Sequence, residues 1–249
     1  MDGKVVIVTG ASGALGKVVA EVALVRGARV ACVDHSPAQS EATGNRIDIG
    51  GVDLTDATQA GKAIDVAASH FGRIDALINI AGAVPQIDLL EMTDAQWDDG
   101  MALKLHGARR ITIHAWNALK ESRGSVVFMS GNSAEAPKSA YAAVATINAA
   151  IVAMARAFAE RGIKDGVQVN SVLPGPVLTN RRKTYMEKYA PAHDMSFEEA
   201  MEKFPAQTGI SRYGQPEEIA DLMAFLVSPQ AKWMTGSAVR MDGGEIKGV

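Results

Sequence analysis

The sequence predicts an α/β fold: a doubly wound, parallel seven-stranded sheet with helices on both faces. Three observations carry that expectation. Segments rich in β-branched residues alternate with segments of helical length along the whole chain, and such alternation implies parallel strands joined by right-handed crossovers. Val5-Val6-Ile7-Val8 is apolar at consecutive positions, the pattern of a strand buried on both faces. Gly10, Gly13 and Gly16 follow at once, and a helix-length pattern runs from Lys17 to Arg26. A strand, a glycine turn and a helix make an anion site, because backbone N–H groups and the helix dipole face the phosphate and no side chain blocks it. A second apolar run, Ala28 to Val33, ends in Asp34, about 20 residues beyond the turn, as in dinucleotide-binding Rossmann folds. There the carboxylate accepts from the ribose hydroxyls and repels a 2′-phosphate, so Asp34 favours NAD over NADP.

Taken in order, strands are expected at 4–9, 28–33, 45–49, 74–80, 124–130, 166–172 and 237–241. Helices are expected between them at 15–26, 55–71, 94–119, 141–161, 197–203 and 216–227. No repeat, low-complexity tract or Pro/Ser-rich linker interrupts the series, which predicts one domain over 1–249. Apolar residues make up 47% of the chain and charged ones 21%, enough for a sizeable core. A net charge of −3 gives no reason to expect nucleic acid or an anionic membrane as partner. The one cysteine, Cys32, sits within the second apolar run and has no partner for an internal disulfide. The first strand begins by residue 5, leaving no room for a signal peptide, and no uncharged apolar run is read as approaching the ~20 residues that span a bilayer. A soluble, cytoplasmic protein is expected. The five histidines (35, 70, 106, 114 and 193) show no metal-ligand spacing, so no metal is expected.

By Asn79-Ile80-Ala81-Gly82 the chain resembles a short-chain dehydrogenase/reductase of the compact, single-domain type. The likeness runs from residue 4 to about 245 through Thr9-Gly10-x-x-Gly13-x-x-Gly16, Asp34, Asp53-Leu54, Asn170-Ser171-Val172-x-Pro174-Gly175-Pro176-Val177-x-Thr179, Thr235-Gly236 and Asp242-Gly243-Gly244. The family's middle glycine is displaced from position 14 to Gly13, which is tolerable if Ala14 keeps a negative φ. The resemblance implies a nicotinamide cofactor. Its pyrophosphate would lie on the turn of Gly10, Ser12, Gly13, Leu15 and Gly16. Asp53 and Leu54 would close over adenine, and Asn79, Ala81 and Gly82 would line the adenosine ribose and hold the centre of the sheet. Pro174, Gly175, Val177 and Thr179 would hold the nicotinamide end.

The family's chemistry uses an Asn on the helix expected over 94–119, a Ser after the fifth strand, and a Tyr with a Lys four residues on. An unperturbed tyrosine titrates near ~10, so the cation is needed to make it a base at neutral pH. Aligned without gaps, this chain has Lys104 at the Asn position, Gly131 after Ser130 at the Ser position, Val144 at the Tyr position and Asn148 at the Lys position. A gapped alternative keeps Tyr141 as the family's Tyr. It moves three residues from loop to helix and puts Ala145 where the Lys belongs. In the ungapped register Tyr141 lies one turn early, ~4.5 Å along the helix axis, and its side chain leans further toward the N-terminus. The exchange of Lys104 for Asn and Asn148 for Lys would keep an ammonium and an amide near the nicotinamide ribose with the helices reversed. Drift is the alternative, with Lys104 snorkelling to solvent. Lys104, Asn148, Tyr141 and Ser130 are the candidate catalytic residues, with Asn132 and Ser133 nearby.

Residues 180–212 fit the family's substrate lid. Arg181-Arg182-Lys183 opens it; these side chains either hold an anionic group through guanidinium forks or form a solvated helix start, the commoner arrangement. The resemblance implies pairing through the helices around 94–119 and 141–161 and a second interface through the C-terminal tail, hence a homotetramer; Ala142, Ala143, Ala145, Ala149, Ala150 and Ala153 would either permit that close approach or pack against the chain's own sheet. Two functional readings stand open. One is an NAD-dependent oxidoreductase acting on a small carbonyl or alcohol with a rearranged proton-transfer site. The other is an NAD-binding protein without hydride transfer: a sensor, a partner subunit or a non-redox enzyme.

Overall fold

The computed structural model describes residues 1–248. β1 (Val5–Thr9) is buried at all five positions, as its unbroken β-branched run requires. Its side chains alternate between two cores. Val5 and Ile7 join the layer that packs against α2 (Ala57–Phe71), α4 (Ala108–Ser122) and α5 (Ala142–Asp165), while Val6 and Val8 face α1 (Ala14–Val25) and α8 (Pro216–Leu226). The remaining strands are β2 (Arg29–Val33), β3 (Arg46–Ile49), β4 (Ala76–Asn79), β5 (Ser125–Met129), β6 (Gln168–Pro174) and β7 (Ala238–Met241). They form one parallel sheet in the order β3-β2-β1-β4-β5-β6-β7. Winding reverses between β1 and β4, and a crevice opens at the carboxyl ends of the strands where it does so.

Helix ends follow local chemistry. The Asp56 carboxylate accepts from Thr58 N (2.7 Å) and Gln59 N (3.3 Å) to start α2, and Gly72 in the left-handed region ends it. The segment expected as one helix over 94–119 is α3 (Asp94–Gly100) and α4 joined by wide π turns over Met101–Gly107. Gly100 and Gly107 let that segment run close to its neighbours, since a Cβ at Gly100 would lie 3.1 Å from Ile147 Cδ1 and one at Gly107 3.1 Å from Leu54 Cβ. A helix absent from the sequence expectation, α6 (Asn180–Tyr189), follows β6, and α7 (Phe197–Gln207) runs four residues beyond its expected end. The reading of apolar runs also needs correction. Ser139–Asp165 is long and apolar enough to cross a membrane by length and composition, yet its residues Val144, Ile147, Ile151 and Ala155 are buried in the core beside the sheet.

Candidate functional site

A cavity of about 730 Å³ occupies the crevice and runs from Gly10 and Asp34 at one end to Arg182, Tyr185 and Phe204 at the other. Its first wall is backbone. Gly10 has φ +68°, and a Cβ there would lie 2.9 Å from Ala81 Cα. A Cβ on Gly16 would lie 2.0 Å from Gly10 O, so α1 rests directly on the turn only because residue 16 is glycine. Gly13 caps α1 without a side-chain bond, and no acidic residue stands in the first turn, which leaves its N–H groups facing the cavity. Ala14 keeps a negative φ, as the displaced glycine requires. Asp34 accepts from Ser12 N and from Ser36 N, both at 2.9 Å. Burial opposes its charge, but the N–H groups of Ser36 and Ser12 outweigh that and hold the carboxyl below its usual range. The residues therefore fit a dinucleotide: an uncovered helix start for the phosphates and a fixed carboxylate at the end of β2 for the ribose.

The middle of the cavity is made of side chains from three elements. Lys104, in the π turns before α4, donates from Nζ to Asn148 Oδ1 on α5 at 2.5 Å. Asn148 Nδ2 donates to Ser133 Oγ at 2.9 Å, and Ser130 Oγ donates to the backbone oxygen of Asn148 at 2.8 Å. Two glycines make room for this chain. A Cβ on Gly82 would meet Lys104 Cγ at 2.7 Å, and one on Gly131 would meet Asn148 Nδ2 at 2.7 Å. A serine at 131 and the Asn148 amide would compete for one space. Burial, and secondarily the charge of Arg181, lower the Lys104 ammonium to about 7.

Tyr141 lines the same cavity, but its hydroxyl has no hydrogen-bond partner among the described residues. Burial and then Glu245 push its pKa up, which makes it a weaker base still. Val144, one turn later, faces the cavity, and α5 continues to Asp165 without a break that could absorb the inserted residues of the gapped alignment.

The far end is roofed by α6 and α7, which share a small core of Met186, Ala190, Ala200, Phe204 and Tyr213. Arg182 stands over the rings of Tyr185 and Phe204, 5.1 Å from each. Arg181, at the mouth, donates to Val84 O at 2.9 Å. A second hollow of about 680 Å³ lies at the opposite end of the strands. Two of its lining side chains have partners: Lys232 Nζ donates to Gln168 Oε1 at 3.1 Å, and Asp165 Oδ2 accepts from Arg161 Nε at 2.8 Å. Among the described residues no group of three His, Cys, Asp or Glu is placed to hold a metal ion.

A family model described as enoyl-(acyl carrier protein) reductase matches residues 10–245. The L-rhamnose 1-dehydrogenase (NAD(P)(+)) of Sphingomonas is 32% identical, with 98% of this chain and 96% of that protein covered. The 3-oxoacyl-(acyl-carrier-protein) reductase FabG of Vibrio cholerae is 29% identical over 98% of both chains. A solved short-chain dehydrogenase/reductase of Brucella melitensis, titled a glucose/ribitol dehydrogenase, superposes with a TM-score of 0.82 at 28% identity, covering 99% of this chain and 98% of that one. The chain is a short-chain dehydrogenase/reductase. L-sorbose reductase of Gluconobacter frateurii, solved with NADPH and L-sorbose, has the same fold with a TM-score of 0.89 at 23% identity, covering 100% of this chain and 98% of that one.

Within the short-chain dehydrogenase/reductase frame, most expected cofactor residues line the cavity: Gly10, Ser12, Gly13, Leu15, Gly16, Asp34, Ala81, Gly82, Pro174, Gly175, Val177 and Thr179. Three do not. Leu54 is buried beneath Gly107, Asp53 turns back to accept from Thr55 N at 2.8 Å, and Asn79 Nδ2 donates to Thr112 Oγ1 at 3.1 Å inside the sheet–helix core. Asn79 thus holds the sheet centre without reaching the cavity. The Ser12 N–H, engaged with Asp34, leaves only its hydroxyl for a phosphate. Thr179 lines the cavity and also caps α6 through Arg182 N at 3.4 Å. Of the four catalytic candidates, Lys104 and Asn148 meet directly, whereas Ser130 holds the α5 backbone and Tyr141 stands apart. Ser133, named only as a neighbour from sequence, is the hydroxyl that joins the pair. Glu245 was not foreseen. It arrives from the C-terminal tail and is held by Asn132 Nδ2 at 2.5 Å.

Proposed function

We propose that the chain is an NAD(H)-dependent oxidoreductase that interconverts a small alcohol and its carbonyl, with Lys104 handling the proton. The observation that carries this reading is the 2.5 Å contact between Lys104 Nζ and Asn148 Oδ1 inside the cavity. The charged Asp34 at the ribose end supports NAD over NADP, since a phosphate beside it would meet a desolvated carboxylate. The relatives' names, reductases and sugar or polyol dehydrogenases, support carbonyl and alcohol chemistry.

The glycine turn and α1 would hold the pyrophosphate, Asp34 the ribose, and Pro174, Gly175, Val177 and Thr179 the nicotinamide; when bound, the cofactor gives or takes the hydride. In the reducing direction the Lys104 ammonium gives a proton to the carbonyl oxygen as that oxygen becomes a hydroxyl. In the oxidising direction the neutral amine takes the proton back. A pKa of about 7 leaves both forms populated near neutrality. Asn148 fixes one Nζ donor, which leaves two for a substrate oxygen. Ser133 accepts from Asn148 and keeps its own proton to donate into the cavity. Ser130 positions Asn148 by binding the α5 backbone.

Residues 180–212 are proposed as the lid, and a cytoplasmic homotetramer as the working form. Ala149 and Ala153, exposed on α5, support pairing through that helix; Ala143 and Ala145, expected on the same surface, are buried within the chain's own core.

Lys104→Met tests the reading. Its turnover of alcohols with NAD should fall by about 100-fold or more, and the limb of the pH–rate profile near 7 should vanish. An unchanged rate and profile would remove Lys104 from the proton step. If the parent protein binds NAD yet reduces it with no member of a broad alcohol panel, the reading without hydride transfer replaces this one.

A further inference from the structure

We infer that the substrate carries an oxyanion, a carboxylate or a phosphate, which Arg182 receives at the lid end of the cavity. This rests on the oxidoreductase reading above and names its substrate class. The position of Arg182 follows from helical geometry. Residues 182, 186 and 190 share one face of α6, and that face is the covered one: Met186 and Ala190 are buried, Arg182 is partly buried, and the next residue, Lys183, is exposed. A solvated helix start fits Lys183. It does not fit Arg182.

Two aromatic rings fix the guanidinium, Tyr185 and Phe204, each 5.1 Å away. Both rings are held by the small core under the lid, where Phe204 also stacks on Tyr213 at 6.0 Å. Among the described residues no carboxylate lies within 4.0 Å of either Arg181 or Arg182. Glu245, the one carboxylate lining this end, is engaged by Asn132 at 2.5 Å. Asp34 stands at the ribose end and is already bound by two backbone N–H groups. Lys104, Lys138, Arg181 and Arg182 thus line the substrate half against a single carboxylate.

A cation taken partly out of water without a partner is costly, and the cost is relieved by an anion that supplies both charge and hydrogen-bond acceptors. A planar guanidinium steadied by rings presents two parallel N–H donors, which match a carboxylate or a phosphate. Arg181 uses Nη2 on Val84 O, so it stays at the mouth with further donors in the same lining. Lys104 remains for the reacting oxygen. The cavity therefore offers two sets of donors, one for the oxygen that changes and one for an oxyanion that does not. The oxyanion forms no covalent bond and changes no oxidation state. It orients the carbon that exchanges the hydride.

Matched substrates test this. NADH oxidation is measured with 2-oxo acids against their methyl esters, and with dihydroxyacetone phosphate against dihydroxyacetone. The anionic member of at least one pair should have the higher kcat/KM, and which pair does so separates carboxylate from phosphate. Arg182→Met should raise KM for that anion by about ten- to a hundredfold, as expected for one charge-assisted pair, and change the neutral member far less, so that the preference for the anion collapses. Arg182→Lys, which keeps the charge and loses the fork, should fall between, and it serves if the methionine variant does not fold. Lys183→Met should behave as the parent. Calorimetric titration of the NADH complex with oxalate and with inorganic phosphate adds a readout independent of turnover. Binding that depends on Arg182, with no turnover of any carbonyl, keeps the anion site and rejects the oxidoreductase reading. Turnover that is equal for neutral and anionic members and indifferent to Arg182 overturns the anion site and leaves the oxidoreductase reading standing.

Discussion

At the glycine-turn end of the cavity the lining is mostly backbone near one turn, with the Asp34 carboxylate beside it. At the Lys104 end it is made of side chains from distant parts of the chain, Lys104 and Asn148 being separated by 44 positions. The first kind of site depends on where a Cβ is absent, so it leaves glycines in the sequence at fixed spacing. The second depends on which side chains meet, and the same meeting is made by a lysine on one helix and an amide on the other, or the reverse. A site of the first kind tolerates little change in sequence. One of the second kind is open to exchange of its parts.

The largest effect should come from breaking the backbone end. In Gly16→Ala the new Cβ would lie 2.0 Å from Gly10 O and 2.7 Å from Gly10 C, and neither atom is the end of a flexible side chain. The helix must move off β1, at a cost of roughly 1–3 kcal/mol for overpacking. Thermal unfolding should fall by about 2–4 °C for each kcal/mol in a chain of this size. NAD affinity should fall by at least about tenfold as the N–H groups of α1 shift off the phosphates. Ala14, two residues earlier, carries its Cβ at a negative φ, so the reciprocal change, Ala14→Gly, should leave NAD affinity within about twofold, a few tenths of a kcal/mol. Calorimetry on the two variants checks the contrast, and equal losses would show that the turn is not the anchor.

A smaller effect belongs to the side-chain end and shows as pH dependence of stability. Unfolded, Lys104 holds its proton up to its ordinary value of 10.5; folded, burial and Arg181 bring it to about 7. Below about 7 both forms are charged and the cost of burying the ammonium is carried in full. Between about 7 and 10.5 the unfolded chain binds more protons than the folded one, so stability rises with pH from this group. The slope is at most about 1.4 kcal/mol per pH unit. Denaturant unfolding of the apoprotein at pH 7, 8 and 9 should therefore show the parent gaining on Lys104→Met. A constant difference across that range would place the ammonium in water.

What was legible follows the same division. All seven strands lie within two residues of their expected bounds; the central ones are apolar runs closed by a polar or glycine turn, while β3 and β7 carry charged residues at the sheet's edges. The glycine turn was readable as a turn, because the positive φ of Gly10 and the close approach of residue 16 to Gly10 O are demands of local backbone. Leu54 and Asn79 were placed at the cofactor by likeness, yet one is buried beneath Gly107 and the other bonded to Thr112. Those are tertiary facts. The helix α6 was hidden for a related reason: Asn180-Arg181-Arg182-Lys183 reads as a polar stretch, and its covered face shows only once Met186 meets the small core it shares with Phe204 and Tyr213. Lys104 and Asn148 were visible as two residues out of place on the family's pattern; that their side chains touch was not.

The smallest expected effect is the one that best separates the two registers. If the chain kept the family's tyrosine, Tyr141 would be it, and removing its hydroxyl would abolish proton transfer. In the structure that hydroxyl has no hydrogen-bond partner among the described residues, and burial together with Glu245 raises its pKa. The residue four positions on is Ala145, which is buried and carries no charge to counter that rise. Lys104, in contrast, has a pKa near the pH at which it would work, together with an amide to hold it. Tyr141→Phe should accordingly keep kcat within about threefold of the parent, less than 1 kcal/mol in the barrier. The KM should change little as well, since the ring lines the cavity and the phenylalanine keeps that wall. A kinetic comparison of Tyr141→Phe, Lys104→Met and the parent on one substrate decides the matter. A dead Tyr141→Phe beside an active Lys104→Met would restore the tyrosine to its familiar role and return the Lys104–Asn148 contact to a structural one.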